Sequence, residues 1–296
     1  MIRPDLHMHT NCSDGVMSPE LLLHECCLSG ITLMAVTDHD TMSGSDQLIQ
    51  AESPIPVIPA VELSMQEMPG LHLLGYGLTR AEPLRAKIAD LADKRSKRAQ
   101  LMIERLRELG MPLSYRELAA KRVLEGGADS TIGRPHIARA LVRKGYCRNM
   151  QEAFAKYIGN QGVAYIPSER MKMEEGVKLL NDVGFLPVLA HPRELKLEDH
   201  MLESLLDRYC AYGLRGLEVY HPSGRAKGYD TLLRMARSRQ LLVTGGSDFH
   251  QENDGKHGKI GCTADAWESK EEDIPALMEE LKTAAERADE EVSSFV

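Results

Sequence analysis

The 296-residue sequence lacks any long apolar run. Its longest uncharged apolar segments, such as 30–36 and 185–190, are far shorter than the roughly 20 residues that a helix needs to span a bilayer. No basic-then-apolar leader precedes the polar cluster at 5–9. We therefore expect a soluble, cytoplasmic protein that has no membrane partner.

The sequence also lacks three kinds of motif. Its six cysteines include no C-x-x-C pair, and adjacent Cys26 and Cys27 cannot bridge easily, so we expect reduced, mostly buried thiols. There is no G-x-S-x-G nucleophile motif and no Walker phosphate loop. The net charge of −8 gives no sign of a partner such as long duplex nucleic acid.

What is present is an ordinary globular composition, 43% hydrophobic and 27% charged, which excludes a disordered chain, collagen or a coiled coil. Apolar, β-branched runs predict seven strands, and amphipathic segments with helix start and stop signals lie between most of them. Strands that alternate with helices favour an α/β fold with a parallel sheet. The predicted strands are 3–7, 31–37, 57–63, 71–76, 185–190, 216–220 and 241–245.

The alternation fails between 81 and 172, where helical patterns follow one another without a convincing strand. Within this stretch, residues 94–148 carry 14 lysines and arginines against five acidic residues, a net of +9, which leaves −17 for the rest of the chain. We predict a scaffold domain over 1–80 and 173–283, an inserted helical, basic, substrate-capping subdomain over 81–172, and a frayed tail over 284–296.

Histidine, aspartate and glutamate cluster at the ends of the predicted strands. In a β/α barrel the carboxyl ends of the strands converge on one mouth, where catalytic groups lie. Imidazole and carboxylate groups brought together there are ligands for zinc, manganese or iron. The residues of this set are His7, His9, Asp38, His39, Glu62, His72, His191, His221, Asp248 and His250.

Local spacing supports this interpretation. The side-chain period of a strand is two, so His7 and His9 point to the same face, and Asp248 and His250 repeat the pattern. Gly245-Gly246 precedes the second pair and would let the backbone approach a bound group. Of the histidines outside this set, His24, His200 and His257 are interpreted as packed or surface residues.

Most residues of the strand-end set stand in motifs that resemble the polymerase and histidinol phosphatase (PHP) family. The motifs are D-L-H-M-H-T-N-C-S-D-G at 5–15, T-D-H-D at 37–40, E-L-S at 62–64, H-P at 191–192 and G-S-D-F-H at 246–250. The resemblance implies a distorted (β/α)₇ TIM-like barrel with up to three divalent metals, of which manganese is expected and iron or zinc are the alternatives.

The resemblance also implies which residues hold each metal. His7, His9, Glu62 and Asp248 would bind the first, and Glu62 would bridge to a second held by His72 and His191. Asp14, His39 and His250 would bind the third.

Within the family, the inserted helices and Gly133-Arg134-Pro135-His136 resemble a branch of small-nucleotide enzymes. These remove the 3′-phosphate of nucleoside 3′,5′-bisphosphates, and some trim very short RNAs from the 5′ end. A substrate with two phosphates needs a second cationic site, for which Arg134 at a helix start is the first candidate. The further candidates are His136, Arg98 and Lys97 for phosphate, Tyr76, Tyr165 and Tyr220 for stacking on a base, and His221 for the leaving oxygen.

The predicted reaction is phosphomonoester hydrolysis by a metal-bound hydroxide, which requires no protein nucleophile. Four alternatives stay open: a 5′-3′ exoribonuclease on short oligonucleotides, a histidinol-phosphate phosphatase, a C–N hydrolase of the amidohydrolase type, and a non-catalytic, metal-stabilised binding module. A one-phosphate substrate gives no reason for the basic insertion, and a binding module would have a degenerate ligand set.

Overall fold

A computed structural model describes residues 2–51, 53–78, 81–124, 132–167, 169–252, 257–268 and 272–294. The chain divides into two compact units, one formed by 1–86 with 171–296 and the other by 87–170. Each unit has its own core and is described by itself.

The first unit is a mixed α/β structure with two sheets. The predicted third strand is divided at Pro59, because proline has no N–H to donate to a ladder. The strands are β1 Pro4–Asp5, β2 Leu33–Ala35, β3 Val57–Ile58, β4 Ala60–Ser64, β5 His72–Gly77, β6 Phe185–Leu189, β7 Gly216–Tyr220 and β8 Leu242–Gly245.

The sheet directions correct the expectation of a purely parallel arrangement. The order β1-β2-β3 is parallel, whereas in the sheet β4-β5-β6-β7-β8 strand β5 is antiparallel to both of its neighbours. The physical reason is the short connection from β4 to β5, since a parallel crossover needs a dozen residues or more. The chain therefore turns back as a hairpin.

Isolated bridges continue the pairing beyond the two sheets. Met8 pairs with Phe249, and His39 pairs with Glu62. The Asp248 N–H donates to the His7 carbonyl over 2.8 Å, which lays the segment after β8 beside the segment after β1. The ladders of the described residues do not join into one closed sheet, so closure as a seven-stranded barrel stays a prediction.

Helices flank the strands of the first unit. Among the described residues, no helix is both long and apolar enough to cross a membrane. The last helix runs through Ser294, so residues 284–294 are helical where a frayed tail was expected. The helices are α1 Pro19–Leu28, α2 Ser43–Gln50, α7 Met173–Asp182, α8 Asp199–Tyr212, α9 Asp230–Ser238, α10 Ala264–Glu268 and α11 Asp273–Ser294.

In the described residues of the second unit, all regular elements are helices. Its elements are most of α3 Glu82–Glu108, then α4 Tyr115–Leu124, α5 Arg134–Arg143 and α6 Met150–Ala153, which continues as a π-helical turn over Phe154–Ile158. Met102, Leu106, Ile137 and Leu141 are fully buried in its core. Gly133 is the N-cap of α5, so the predicted helix start at Arg134-Pro135 is observed.

Candidate metal centre

The segment after β1 places the first two imidazoles. Met8, between His7 and His9, is buried in an apolar cluster with Phe249 and Met34. Because side chains alternate along an extended segment, His7 and His9 both turn away from this cluster. The structure brings them together with the other seven ligand candidates, from segments spread between residues 7 and 250.

The first group consists of four donor atoms. His7 Nε2 and His9 Nε2 lie 3.3 and 3.2 Å from Glu62 Oε2. The same two nitrogens lie 3.5 and 3.3 Å from Asp248 Oδ1. These four atoms therefore surround one point.

The second group uses the other oxygen of Glu62. Glu62 Oε1 lies 2.8 Å from His72 Nδ1 and 2.9 Å from His191 Nε2, and the two nitrogens are 3.2 Å apart. Since Oε2 belongs to the first group, the Glu62 carboxylate lies between the two groups as a bridging ligand would.

The third group gathers around Asp14. His250 Nε2 is 3.2 Å from Asp14 Oδ1, and His39 Nε2 is 3.8 Å from Asp14 Oδ2. His9 Nδ1 also lies 3.8 Å from Asp14 Oδ1, so His9 faces two groups at once.

The donor set fits divalent cations. His7 Nε2, both ring nitrogens of His9, His39 Nδ1 and Glu62 Oε2 are buried and have no hydrogen-bond partner among the described residues. Leaving buried polar atoms without partners is costly, whereas imidazole and carboxylate donors are suited to zinc, manganese or iron. The orphaned atoms point to metal ligation rather than to packing.

The electrostatics of the groups agree with ligation. Burial opposes ionisation of Glu62, but His39 and His72 outweigh it and hold the pKa of Glu62 well below its usual range. Burial likewise opposes charge on His9, yet Asp248 and Glu62 raise its pKa to about 10. Burial lowers the pKa of His39 to about 4. The carboxylate is therefore ionised at neutral pH, His39 is neutral, and His9 holds a proton that a cation would displace.

Glu218 is a functional residue that sequence reasoning missed. It is fully buried on β7, where its carboxylate accepts a hydrogen bond from His7 Nδ1 over 2.8 Å and another from the His191 N–H over 2.7 Å. A carboxylate only accepts, so His7 Nδ1 carries a proton, and Nε2 is the nitrogen that can ligate a cation in the first group. A glutamate inside the apolar run G-L-E-V-Y was the available signal.

His257, interpreted as a packed or surface residue, packs beside the ligand candidates. Its ring stacks on that of His250 with centroids 4.0 Å apart, and its Nε2 lies 4.0 Å from Asp248 Oδ2. His24 and His200 are exposed, as interpreted. Position in the loop after β8, rather than at a strand end, concealed His257.

Gly246 has a different role from the one expected. A Cβ there would lie 2.3 Å from His7 Cβ and 2.4 Å from the His7 backbone nitrogen. The glycine therefore admits the neighbouring backbone rather than a bound group. Asp248 and His191 both have positive φ, at 53° and 26°, so two ligand positions carry backbone strain.

His221 is buried at the end of β7. Its Nδ1 accepts a hydrogen bond from the Ser223 N–H over 3.2 Å, and its Nε2 lies 3.4 Å from Asp248 Oδ2. The ring thus faces a ligand carboxylate, where the sequence suggested contact with the leaving oxygen.

Two of the predicted phosphate-binding residues converge in the second unit. The guanidinium of Arg98 lies 5.5 Å from the centre of the Tyr165 ring, and that of Arg134 lies 5.9 Å from it. Burial and Arg134 lower the pKa of Arg98 to about 10. Their hydrogen bonds go to neutral oxygens, from Arg98 to the Ile166 carbonyl and from Arg134 to the Asn160 side chain. In the described part of the chain neither guanidinium is neutralised by a carboxylate.

The remaining predicted substrate residues are less suited to binding phosphate or stacking on a base than Arg98, Arg134 and Tyr165 are. Both ring nitrogens of His136 are engaged, one by the Gly133 N–H and the other by Arg122, so this ring caps α5. Lys97 is exposed on α3. Tyr76 and Tyr220 are buried in the core and cannot stack on a base, which leaves Tyr165.

Comparison with known proteins matches residues 5–114 to the PHP domain. The 5′-3′ exoribonuclease Rnm of Escherichia coli (strain K12) is 31% identical over 253 residues, which are 83% of this chain and 85% of that protein. The 3′,5′-nucleoside bisphosphate phosphatase of Chromobacterium violaceum is 29% identical over 273 residues, 90% and 93% of the two chains. A crystal structure from Bifidobacterium adolescentis, described as a metal-dependent phosphoesterase, matches with a TM-score of 0.72 at 31% identity and covers 88% of this chain and 91% of that one.

Proposed function

This chain is a member of the PHP family of metal-dependent phosphoesterases, and we propose that it removes the 3′-phosphate of nucleoside 3′,5′-bisphosphates. Hydrolysis of a phosphate ester is the activity that the family supports. The observation that carries the finer proposal is the pair Arg98 and Arg134 around Tyr165, because a bisphosphate needs a cationic site in addition to the metals.

The metal centre would use the nine ligands in the groups described above, with manganese as the expected ion and three as the expected number. Bound cations supply Lewis acidity at the phosphate and activate water. The distorted seven-stranded barrel is the form of the scaffold that we propose for this centre.

The chain's own residues fix the arrangement. Glu218 holds the tautomer of His7, and the Asp248 carbonyl accepts from His250 Nδ1 over 2.9 Å, which leaves His250 Nε2 for ligation. Arg134 and Arg98 would bind the 5′-phosphate, and Tyr165 would offer a face to the base.

Cleavage of short RNA from the 5′ end is a second candidate function. It is favoured by the 31% identity to the exoribonuclease Rnm of Escherichia coli. The two activities need the same 5′-phosphate site and the same metal centre, so one protein can have both.

The first test compares phosphate release from adenosine 3′,5′-bisphosphate, 3′-AMP, 5′-AMP and histidinol phosphate by manganese-loaded protein, with a dinucleotide assayed for mononucleotide release. Preference for the bisphosphate with 5′-AMP as product supports the proposal. Preference for histidinol phosphate would overturn it, and mononucleotide release would establish the exoribonuclease activity.

The substrate site is tested by Arg134→Ala. Loss of one charge-assisted contact should raise KM for the bisphosphate by about 10- to 100-fold, with a small change in kcat and little change for 3′-AMP, which has no 5′-phosphate. Arg116→Ala, at an exposed position of the same unit that is no substrate candidate, is the matched comparison. Equal effects on both substrates would remove Arg134 from the 5′-phosphate site.

A further inference from the structure

Asp248 presents its two carboxylate oxygens to different neighbours. Oδ1 faces His7 Nε2 and His9 Nε2 in the first group. Oδ2 faces His221 Nε2 at 3.4 Å, with His257 Nε2 further away at 4.0 Å. Because Oδ2 faces His221, only Oδ1 of Asp248 is directed toward a cation in the first group.

The tautomer of His221 follows from its other nitrogen. The backbone N–H of Ser223 can only donate, and it points at His221 Nδ1 from 3.2 Å. Nδ1 is therefore the acceptor, also from the Ser223 hydroxyl 2.7 Å away, and the proton of the neutral ring lies on Nε2. Ligation of a metal through Nε2 would require the proton to move to Nδ1, where it would face the Ser223 N–H.

We propose that His221 is a positioning residue, which donates its Nε2–H to Asp248 Oδ2 and so holds Asp248 as a one-oxygen ligand of the first group. The inference rests on the proposed function, because it takes the first group to be a metal site. A carboxylate held in this way cannot rotate to bind through both oxygens, which leaves room at the cation for water or substrate. Mutation of the residue that hydrogen-bonds to a metal ligand typically lowers metal affinity or activity by about 10- to 100-fold.

Two variants whose side chains differ by one methylene distinguish the hydrogen bond to Asp248 from the cap that His221 provides to the following turn. His221→Asn retains an oxygen that can accept from the Ser223 N–H and cap the following 3₁₀ turn, but its amide is too short to donate to Asp248. His221→Gln places an amide N–H near the position of Nε2. His200→Asn, on the exposed face of α8, is the control.

The measurement is manganese bound per chain in chelator-buffered solutions of graded free metal, with the Mn(II) paramagnetic resonance spectrum recorded on the same samples. The expected result is a loss of affinity of about 10- to 100-fold in His221→Asn, with most of the affinity retained in His221→Gln and all of it in the control. Unfolding in excess chelator shows whether each variant folds as the parent does.

If metal affinity is unchanged in both variants but kcat is reduced, the proposal is overturned in favour of direct contact between His221 and the leaving oxygen. An equal loss of affinity in the Asn and Gln variants would also overturn it, since the retained N–H would then have no effect. The metal titration needs no substrate, so a wild-type protein that binds manganese but hydrolyses no phosphomonoester would contradict the proposed function and leave this inference to be decided by the variants.

Discussion

At the scale of the residue, the metal centre depends on groups that hold the ligands as much as on the ligands. Asp38 accepts hydrogen bonds from the backbone and hydroxyl of Thr10 and from Ser13, and it is buried beside its neighbour His39. Asp5 accepts hydrogen bonds from the Ser247 and Gly261 N–H groups and ties the end of β1 to the segment after β8. Such buried carboxylates fix the backbones that carry the ligands.

Glu218→Gln tests this support directly. The Glu218 carboxylate accepts hydrogen bonds from two N–H groups, one on each oxygen. A glutamine amide has only one accepting oxygen, so either His7 Nδ1 or the His191 N–H loses its partner. We expect manganese affinity to fall by about 10- to 100-fold, measured in chelator-buffered metal. Glu20→Gln, on the exposed side of α1, is the control, and equal affinity in the two variants would contradict the role of Glu218.

Proton release on metal binding follows from His9. Its pKa of about 10 means that the ring of the metal-free protein is protonated at pH 7.5 and must lose a proton to ligate through Nε2. Metal binding should therefore release about one proton from this residue, and affinity should rise with pH up to about pH 10.

Calorimetric titration of manganese in buffers of different ionisation enthalpy measures that release. His9→Gln should reduce the number of protons released, because the titrating group is gone. A binding heat that does not depend on the buffer would show that His9 ligates without deprotonation and would contradict its raised pKa.

At the scale of the element, the contact between the segments after β1 and β8 determines where ligands from the two ends of the chain meet. Gly246→Ala would place a Cβ 2.3 Å from His7 Cβ and press against the His7 backbone, which cannot yield as a flexible side chain can. Overpacking of this kind costs about 1–3 kcal/mol, and we expect that decrease in the free energy of unfolding by denaturant titration.

Gly133→Ala is the comparison for that substitution. A Cβ at Gly133 would meet its nearest neighbour, Pro135, at an ordinary 3.5 Å. Its effect on stability should be smaller than that of Gly246→Ala. Equal stability losses would show that the close approach at His7 is not the cause.

At the scale of the whole molecule, all nine ligand candidates belong to the unit formed by 1–86 and 171–296, and the unit over 87–170 contains none. A ligand that binds only the folded state stabilises it by about 2.7 kcal/mol at a hundred times its dissociation constant. Hydrogen exchange in manganese and in chelator should therefore show metal-dependent protection in peptides from the first unit and much smaller changes over 87–170. Uniform changes across both units would contradict this division.

Most of the site was predictable from the sequence for a local reason. A strand alternates its side chains every two residues, so H-x-H aims two ligands together wherever the strand lies, and strand ends in such folds converge. His7 and His9 meet on that basis, whereas Asp248 and His250 lie beyond β8, with Asp248 at a positive φ, and are placed by the fold. His72 and Glu62 were also found, because their strands were recognised as short apolar runs.

What the sequence could not determine depends on contacts between distant segments. The antiparallel direction of β5, the backbone approach at Gly246 and the hydrogen bonds of Glu218 to His7 and His191 arise only when the strands pack. The stacking of His257 on His250 and the turn of His221 toward Asp248 arise in the same way. The sequence by itself determined the ligand types and their local geometry, because these follow from side-chain chemistry and strand period. The tertiary structure decided which groups orient those ligands, because burial and hydrogen-bond direction exist only in the folded chain.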